Sequence, residues 1–367
     1  MPVPETQRRS RAAVVYNPIK VDLGVLRRTV AEAEADHGWE PSLWLETSVE
    51  DPGTGVTTEA LEKGASLILA AGGDGTVRAV AEALRGTGVP LGMLPSGTGN
   101  LLARNLDLTL DDLPGSVHAA FTGVDRAVDL GIFEAERADG TRESYAFLVM
   151  AGVGLDALMI ANTNPKLKKR VGWLAYVDAI ARSLRDSEQI RIRYQLDGGP
   201  RRVMRAHTVL IGNCGSLPAN ILLLPEAAVD DGVLDIVALR PEGFFGWVQV
   251  WVKIVWENGV LRRSQVGRKL LGLSREVRTL RYMKGQRLIL RLDREEEFEL
   301  DGDAGGKAVA MRISVDPGAV IVRVPREAVG AVDNSAGDVH ESAGGDDSAG
   351  DGNETTGGDE ATGEAAA

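Results

Sequence analysis

The residues of this 367-residue chain best suited to chemistry fall in three turns, each closing an apolar run. Residues 67–71 break into Gly72-Gly73-Asp74-Gly75-Thr76. Residues 90–94 lead into Pro95-Ser96-Gly97-Thr98-Gly99-Asn100, and residues 12–16 lead into Asn17-Pro18. Glycine lets backbone amides approach a ligand closely. A helix that starts directly after such a turn aims free amides and the positive end of its dipole at the same spot. The pattern predicts a site for phosphate oxygens, with Thr76 and Thr98 adding hydroxyl donors. Asp74 would repel phosphate directly. Its expected task is to hold magnesium through water, or to accept the proton of an attacking hydroxyl. Two further carboxylates, Asp301 and Asp303, flank Gly302 at the end of a strand-like run. That spacing suits proton transfer and is also a common hairpin turn.

These turns need rigid elements behind them. Strand runs are expected at 12–16, 42–46, 66–71 and 91–94, with helical periodicity at 25–37, 54–63, 77–84 and from 101. Strands alternating with helices predict a parallel, layered α/β sheet whose ligand sits at the carboxyl ends of the strands. After about residue 126 the rhythm changes. Strand runs at 126–133, 145–150, 189–196, 206–213, 233–239, 287–292 and 297–300 predict a β-rich second domain, sandwich-like, with helical segments within 155–184 and at 244–258. The expected division is an α/β nucleotide-binding domain at 12–135, a β-rich domain at 136–325 and an acidic tail at 331–367.

Charge and composition narrow the classes. The net charge is −12, but residues 331–367 hold ten acids and no Lys or Arg, so the rest carries only −2. The tail is mostly Gly, Ala, Ser, Thr, Asp and Glu, with almost nothing apolar, and is expected to be disordered, as a solubiliser or a regulator. Cys214 is the one cysteine, which excludes an intrachain disulfide. The four histidines are scattered, which argues against zinc. No run is long enough to span a bilayer and no secretory leader is recognised, so a cytoplasmic protein is expected. Gly152-Val-Gly154-Leu-Asp-Ala157 fits a dinucleotide fingerprint with Asp178 about twenty residues on. Asp178 lies in a stretch of helical period, so a tight strand-to-helix turn is the better reading.

Gly72–Thr76 followed by Pro95–Asn100 resembles the diacylglycerol kinase catalytic family, which includes bacterial lipid kinases and sphingosine and ceramide kinases. Asn17-Pro18 matches the opening of that family. Leu222-Leu-Leu-Pro-Glu-Ala-Ala-Val-Asp-Asp231-Gly-Val-Leu-Asp235 resembles its metal-binding turn, and Asp301-Gly302-Asp303 its late Asp-Gly-Glu motif. The resemblance spans roughly residues 12–325. It implies ATP contacts at Asn17, Pro18, Thr47, Gly72, Gly73, Asp74, Gly75, Thr76, Gly97, Thr98, Gly99 and Asn100. It implies Mg2+ on Asp231 with the carbonyls of Ala228 and Val233. It puts the proton acceptor in the late motif, with Asp303 favoured by position, Asp301 next and Asp74 third. Three departures stand out: Lys20 and Val21 replace the usual Ser-Gly after Asn-Pro, Arg78-Ala79 replaces Asn-Glu, and Asp303 replaces Glu.

The implied activity is ATP- and magnesium-dependent phosphorylation of a lipid hydroxyl, diacylglycerol first, giving phosphatidic acid. The implied setting is the inner face of the membrane, with peripheral attachment. Residues 244–256 are apolar on nearly all sides, and residues 262–294 hold eleven Lys or Arg against two acids. Together they suit membrane docking or a core helix with solvated basic strands. Nucleic acid is excluded by the lack of a module and by the body charge. An NAD kinase and a non-catalytic, nucleotide-dependent membrane-binding protein are the rival readings. Oligomeric state is left open, a homodimer included.

Overall fold

The computed structural model describes residues 10–154, 189–217, 221–222, 224, 226–240 and 280–326. The expected helices within 155–184 and at 244–258, Asp178, much of the basic stretch and the acidic tail lie outside the described residues.

Four parallel strands form the first layer: β1 (Arg11–Tyr16), β2 (Glu40–Glu46), β3 (Leu67–Gly72) and β4 (Leu91–Pro95), in the order β4-β3-β1-β2. β1 and β3 are buried on both faces, which is why they read as unbroken apolar runs. Side chains alternate between the two faces. Ala13, Val15, Ile68 and Ala70 pack beside α2 (Thr54–Glu62) and α3 (Asp74–Leu84). Ala12, Val14, Leu67 and Leu69 pack beside α1 (Leu23–His37) and α5 (Leu113–Thr122). Asp22 caps α1 by accepting the Val25 amide at 3.0 Å, and Gly38 ends it at φ 68°. The short α4 (Leu101–Asn105) follows β4.

The second region is antiparallel within itself and continues the same hydrogen-bonded sheet. It comprises β5 (Val124–Glu136), β6 (Arg142–Phe147), β7 (Met150–Val153), β8 (Ile190–Leu196), β9 (Arg202–Ala206) and β10 (Thr208–Gly212). After a small pair, β11 (Ser216–Leu217) with β12 (Ile221–Leu222), come β13 (Leu234–Leu239), β14 (Leu280–Gly285), β15 (Arg287–Leu300) and β16 (Asp303–Val324). Its core is set by Phe133 stacked on Phe298 at 4.7 Å, with Phe147, Leu290, Ile236 and Ile313.

Four expected strand runs have different limits. The run at 145–150 is broken after Phe147 and resumes at Met150. The run at 206–213 is split at His207. The runs at 287–292 and 297–300 are one strand, β15. Helix α5 and the 22-residue β16 were not expected. Asp316-Pro317-Gly318 in β16 reads as a turn, yet it is a bulge between Asp316 and Val320, with Gly318 at φ 60°. β16 pairs with β15 at its start and runs parallel to β4 at its end, through Val322 and Leu91. One strand therefore joins the Asp301–Asp303 turn to the parallel sheet.

Candidate active site

The register of the parallel strands gathers the three glycine-and-polar turns. Tyr16 lies beside Ala71, and Gly72 beside Pro95. The Asn17 amide donates to the Ala71 carbonyl at 2.9 Å, the Ser96 amide to Gly72 at 3.1 Å, and the Thr47 amide to Tyr16 at 2.9 Å. The first two turns of the site touch: a Cβ on Gly97 would lie 2.8 Å from the Cα of Gly73. Only glycine permits that approach. Asn100 closes its loop at φ 48°, its side chain accepting from the Gly97 amide at 3.1 Å and donating to the Gly97 carbonyl at 2.9 Å. Asn tolerates the left-handed region better than most residues.

Asp74 has a structural task in this arrangement. Its carboxylate accepts the Asn100 amide at 2.9 Å and the Leu101 amide at 2.5 Å, so it caps α4 and ties the two glycine loops together. The start of α3 is different. Gly73 is its N-cap and offers no side-chain acceptor, which leaves the first amides of α3 for another partner. Lys20 stands over this spot. A Cβ on Gly73 would lie 2.5 Å from its Nζ. Lys20 is exposed and has no ion-pair partner among the described residues. The turn before it is set by Asn17, whose side chain accepts the Ile19 amide at 3.0 Å.

The Asp301–Asp303 turn faces α3. Asp301 sits at φ 51° and Gly302 at φ 90°. The Asp301 carboxylate is buried and accepts three amides, from Leu148 at 2.9 Å, Val149 at 2.8 Å and Met150 at 3.0 Å. These bonds explain the break between β6 and β7. Burial raises the Asp301 carboxyl above its usual range, opposed by the amides and the Arg78 charge. With both oxygens occupied, Asp301 has the geometry of a staple. Asp303 is exposed, and its carboxylate meets the Arg78 guanidinium at 2.8 Å. A Cβ on Gly75 would lie 3.3 Å from Asp303 Oδ2, so this carboxylate abuts the first turn of α3.

Sequence reasoning missed Glu299. It is buried in β15 between Gly152 and Ala304, and no cation pairs with it among the described residues. Burial, then the charges of Asp303 and Glu297, push its carboxyl up to about 7. The signal was present as a charged residue inside a strand between Phe298 and Leu300, whose side chains point to the core.

The Asp230–Val233 turn is knitted by Asp129, also unforeseen. The buried Asp129 carboxylate accepts the Gly232 amide at 2.7 Å and the Gly318 amide at 2.8 Å. Asp230 pairs with Arg126 at 2.8 Å. Asp231 is exposed, and one of its oxygens accepts the Val233 amide at 3.1 Å. Lys284 meets the buried Asp235 at 3.2 Å, and burial raises that carboxyl. Among the described residues no three His, Cys, Asp or Glu side chains gather to hold a metal, and no helix is long and apolar enough to cross a membrane. Gly152 of the dinucleotide-like motif lies within β7, paired to Leu210 and Glu299, so it belongs to a sheet interior and not to a phosphate turn.

Comparison with known proteins agrees with this geometry. Residues 11–133 match the diacylglycerol kinase catalytic domain, and residues 149–255 match the YegS C-terminal NAD kinase beta sandwich-like domain. A Pseudomonas aeruginosa protein named as a YegS-like lipid kinase is 32% identical over 274 residues, covering 74% of this chain and 80% of the relative. A diacylglycerol kinase of Mycobacterium tuberculosis is 30% identical over 183 residues, 50% of this chain. That match spans 58% of the relative, less than two thirds of its length. The crystal structure of a diacylglycerol kinase from Bacillus anthracis superposes with a TM-score of 0.60 at 19% identity, over 87% of this chain and 98% of the other, and so shares its fold. The chain therefore belongs to the diacylglycerol kinase family of YegS-like lipid kinases.

Proposed function

We propose that this protein transfers the γ-phosphoryl group of ATP to a lipid hydroxyl, with diacylglycerol as the first-choice acceptor and phosphatidic acid as the product. The observation that carries the reading is the meeting of two chemically opposite turns, one rich in amide donors and the other in carboxylates, with Asp303 against Gly75. Phosphoryl transfer needs positioning and charge neutralisation more than covalent help. The amides at the start of α3, with Thr76, Thr98 and the Lys20 ammonium, would hold the phosphates. Asn17, Pro18 and Thr47 would line the nucleotide beside them. Asp74 would fix the two loops in register, and Asp301 would hold the turn that presents Asp303.

In the reaction the lipid oxygen forms a bond to the γ-phosphorus, and its proton passes to the Asp303 carboxylate. The bond from the γ-phosphorus to the bridging oxygen breaks, and ADP leaves. Bound magnesium would supply positive charge against the phosphates and turns. Asp231 keeps one carboxylate oxygen clear of the Val233 amide, and with the Ala228 and Val233 carbonyls it would make an all-oxygen donor set of the kind magnesium accepts. The lipid would be met at a membrane surface, with the β-rich region receiving it.

The test is transfer from labelled ATP, with magnesium, to a panel of diacylglycerol, sphingoid base, ceramide and phosphatidylglycerol in mixed micelles, alongside NAD. Label on a lipid supports the reading and names the acceptor. Label on NAD alone, or on nothing, overturns it.

A further inference from the structure

Arg78 lies one turn into α3 from Asp74, on a helix that otherwise serves the glycine turn. Its guanidinium spans two points of the distant Asp301–Asp303 turn. Nη1 donates to the Leu300 carbonyl at 2.5 Å, and Nη2 to the Asp303 carboxylate at 2.8 Å. The side chain of Arg78 is 22% exposed and that of Asp303 is 59% exposed. One prong is thus anchored on backbone, while the other grips a carboxylate that reaches water. A planar guanidinium can make both bonds at once, and an ammonium on a flexible stem cannot hold the same fork.

Arg78 and Asp303 are also two of the three places where the chain departs from the pattern it resembles, Asn giving way to Arg and Glu to Asp. In the structure these departures touch each other. Shortening Glu to Asp withdraws the carboxylate by about 1.5 Å, one carbon–carbon bond. A misplacement of about 1 Å can cost on the order of a hundredfold in rate. An unanchored Asp on an exposed turn would also sample several rotamers. The Arg78 fork removes that freedom and sets the carboxylate against Gly75.

We propose that Arg78 is a positioning residue for Asp303, and that Arg78 and Asp303 work as a matched pair in place of Asn and Glu. This inference rests on the lipid-kinase reading, with Asp303 as proton acceptor. The test is steady-state kinetics of Arg78→Asn, Arg78→Lys, Asp303→Glu and the double variant Arg78→Asn/Asp303→Glu, each checked for folding by thermal melting. Arg78→Asn is expected to lower kcat about 20-fold or more while KM for ATP moves less than about threefold, the sign of a contact that matters in the transition state. Arg78→Lys keeps the charge but not the fork, and is expected to lose kcat likewise; it carries the test if Arg78→Asn fails to fold. The double variant is expected to recover at least about fivefold over Arg78→Asn, because Glu regains reach without the clamp. A wild-type kcat in folded Arg78→Asn or Arg78→Lys overturns the pairing. So does a double variant whose loss is the product of the two single losses. If the wild-type protein labels lipid in these same assays, such results leave the kinase reading standing. A wild-type protein that labels no lipid sinks both.

Discussion

The turns at Gly72–Thr76 and Asp301–Asp303 are built alike and finished differently. Each contains an Asp whose carboxylate is occupied by backbone amides: Asp74 takes those of Asn100 and Leu101, and Asp301 those of Leu148, Val149 and Met150. What remains around them is opposite in sign. The first turn keeps uncapped amides at the start of α3 and the Lys20 ammonium, which has no ion-pair partner among the described residues. The second keeps the exposed Asp303 and the buried Glu299. The lesson concerns which carboxylates are available. An acid in a motif is a candidate for chemistry only if its lone pairs are not already satisfied by the chain. On that criterion Asp303, bonded to Arg78 through one oxygen and to no backbone amide among the described residues, stands apart from Asp301 and Asp74.

The sharpest way to break this contrast is to remove the three acids one at a time. Asp303→Asn is expected to lower kcat by about 10²–10⁴, the usual scale for a general base, with the melting temperature nearly unchanged. Asp301→Asn is expected to act on folding instead. An amide in place of the carboxylate gives one oxygen to three buried N–H groups, at a cost of about 2–4 kcal/mol read by urea unfolding. If Asp301→Asn is as stable as wild type and inactive, the staple role is wrong and the proton acceptor has been misplaced.

On the opposite side, Lys20→Met is expected to raise KM for ATP about tenfold with a smaller change in kcat, because its charge meets phosphate in ground and transition state alike. An unchanged KM would mean that the ammonium over Gly73 points at solvent and not at nucleotide.

Much of this was legible in the sequence, for physical reasons that also mark where legibility stops. β1 and β3 are short, apolar and bounded by Asn-Pro and Gly-Gly, so their limits are nearly those expected. The strands after residue 126 were harder. β15 reads as two runs because Arg294, Glu295 and Glu296 interrupt it, yet a register shift between Arg291 and Glu296 carries the strand through. β16 hides behind its Gly and Pro residues, which are absorbed as a bulge. α5 has Pro114 in its first turn, which suits a helix start. The glycine turns were readable because close approach demands glycine. The partners Arg78–Asp303 and Asp129–Gly232 were not, since they join residues more than a hundred positions apart. Asp301 shows the same limit: residue type marked it as a candidate acid, and its three amide partners are visible only in the fold.

The smallest effect is the most specific to the carboxylate-rich side. Glu299 has its carboxyl pushed up to about 7 in the folded protein, from an ordinary value of 4.5, chiefly by burial and then by Asp303 and Glu297. A group whose folded value is raised binds its proton more tightly in the folded state. Its contribution to stability is complete below pH 4.5 and is lost as pH rises through about 7. Glu299→Gln removes the titration. The variant should therefore gain on wild type between pH 5 and pH 8, by about 1–2 kcal/mol once solvent contact at the carboxyl is allowed for. Urea unfolding of both proteins at the two pH values measures the gain directly. In an Asp303→Asn background the gain should shrink, because the second of the three causes is gone. An undiminished gain there would separate Glu299 from Asp303 electrostatically and leave burial and Glu297 as the causes. A diminished one would show that the two carboxylates share a field.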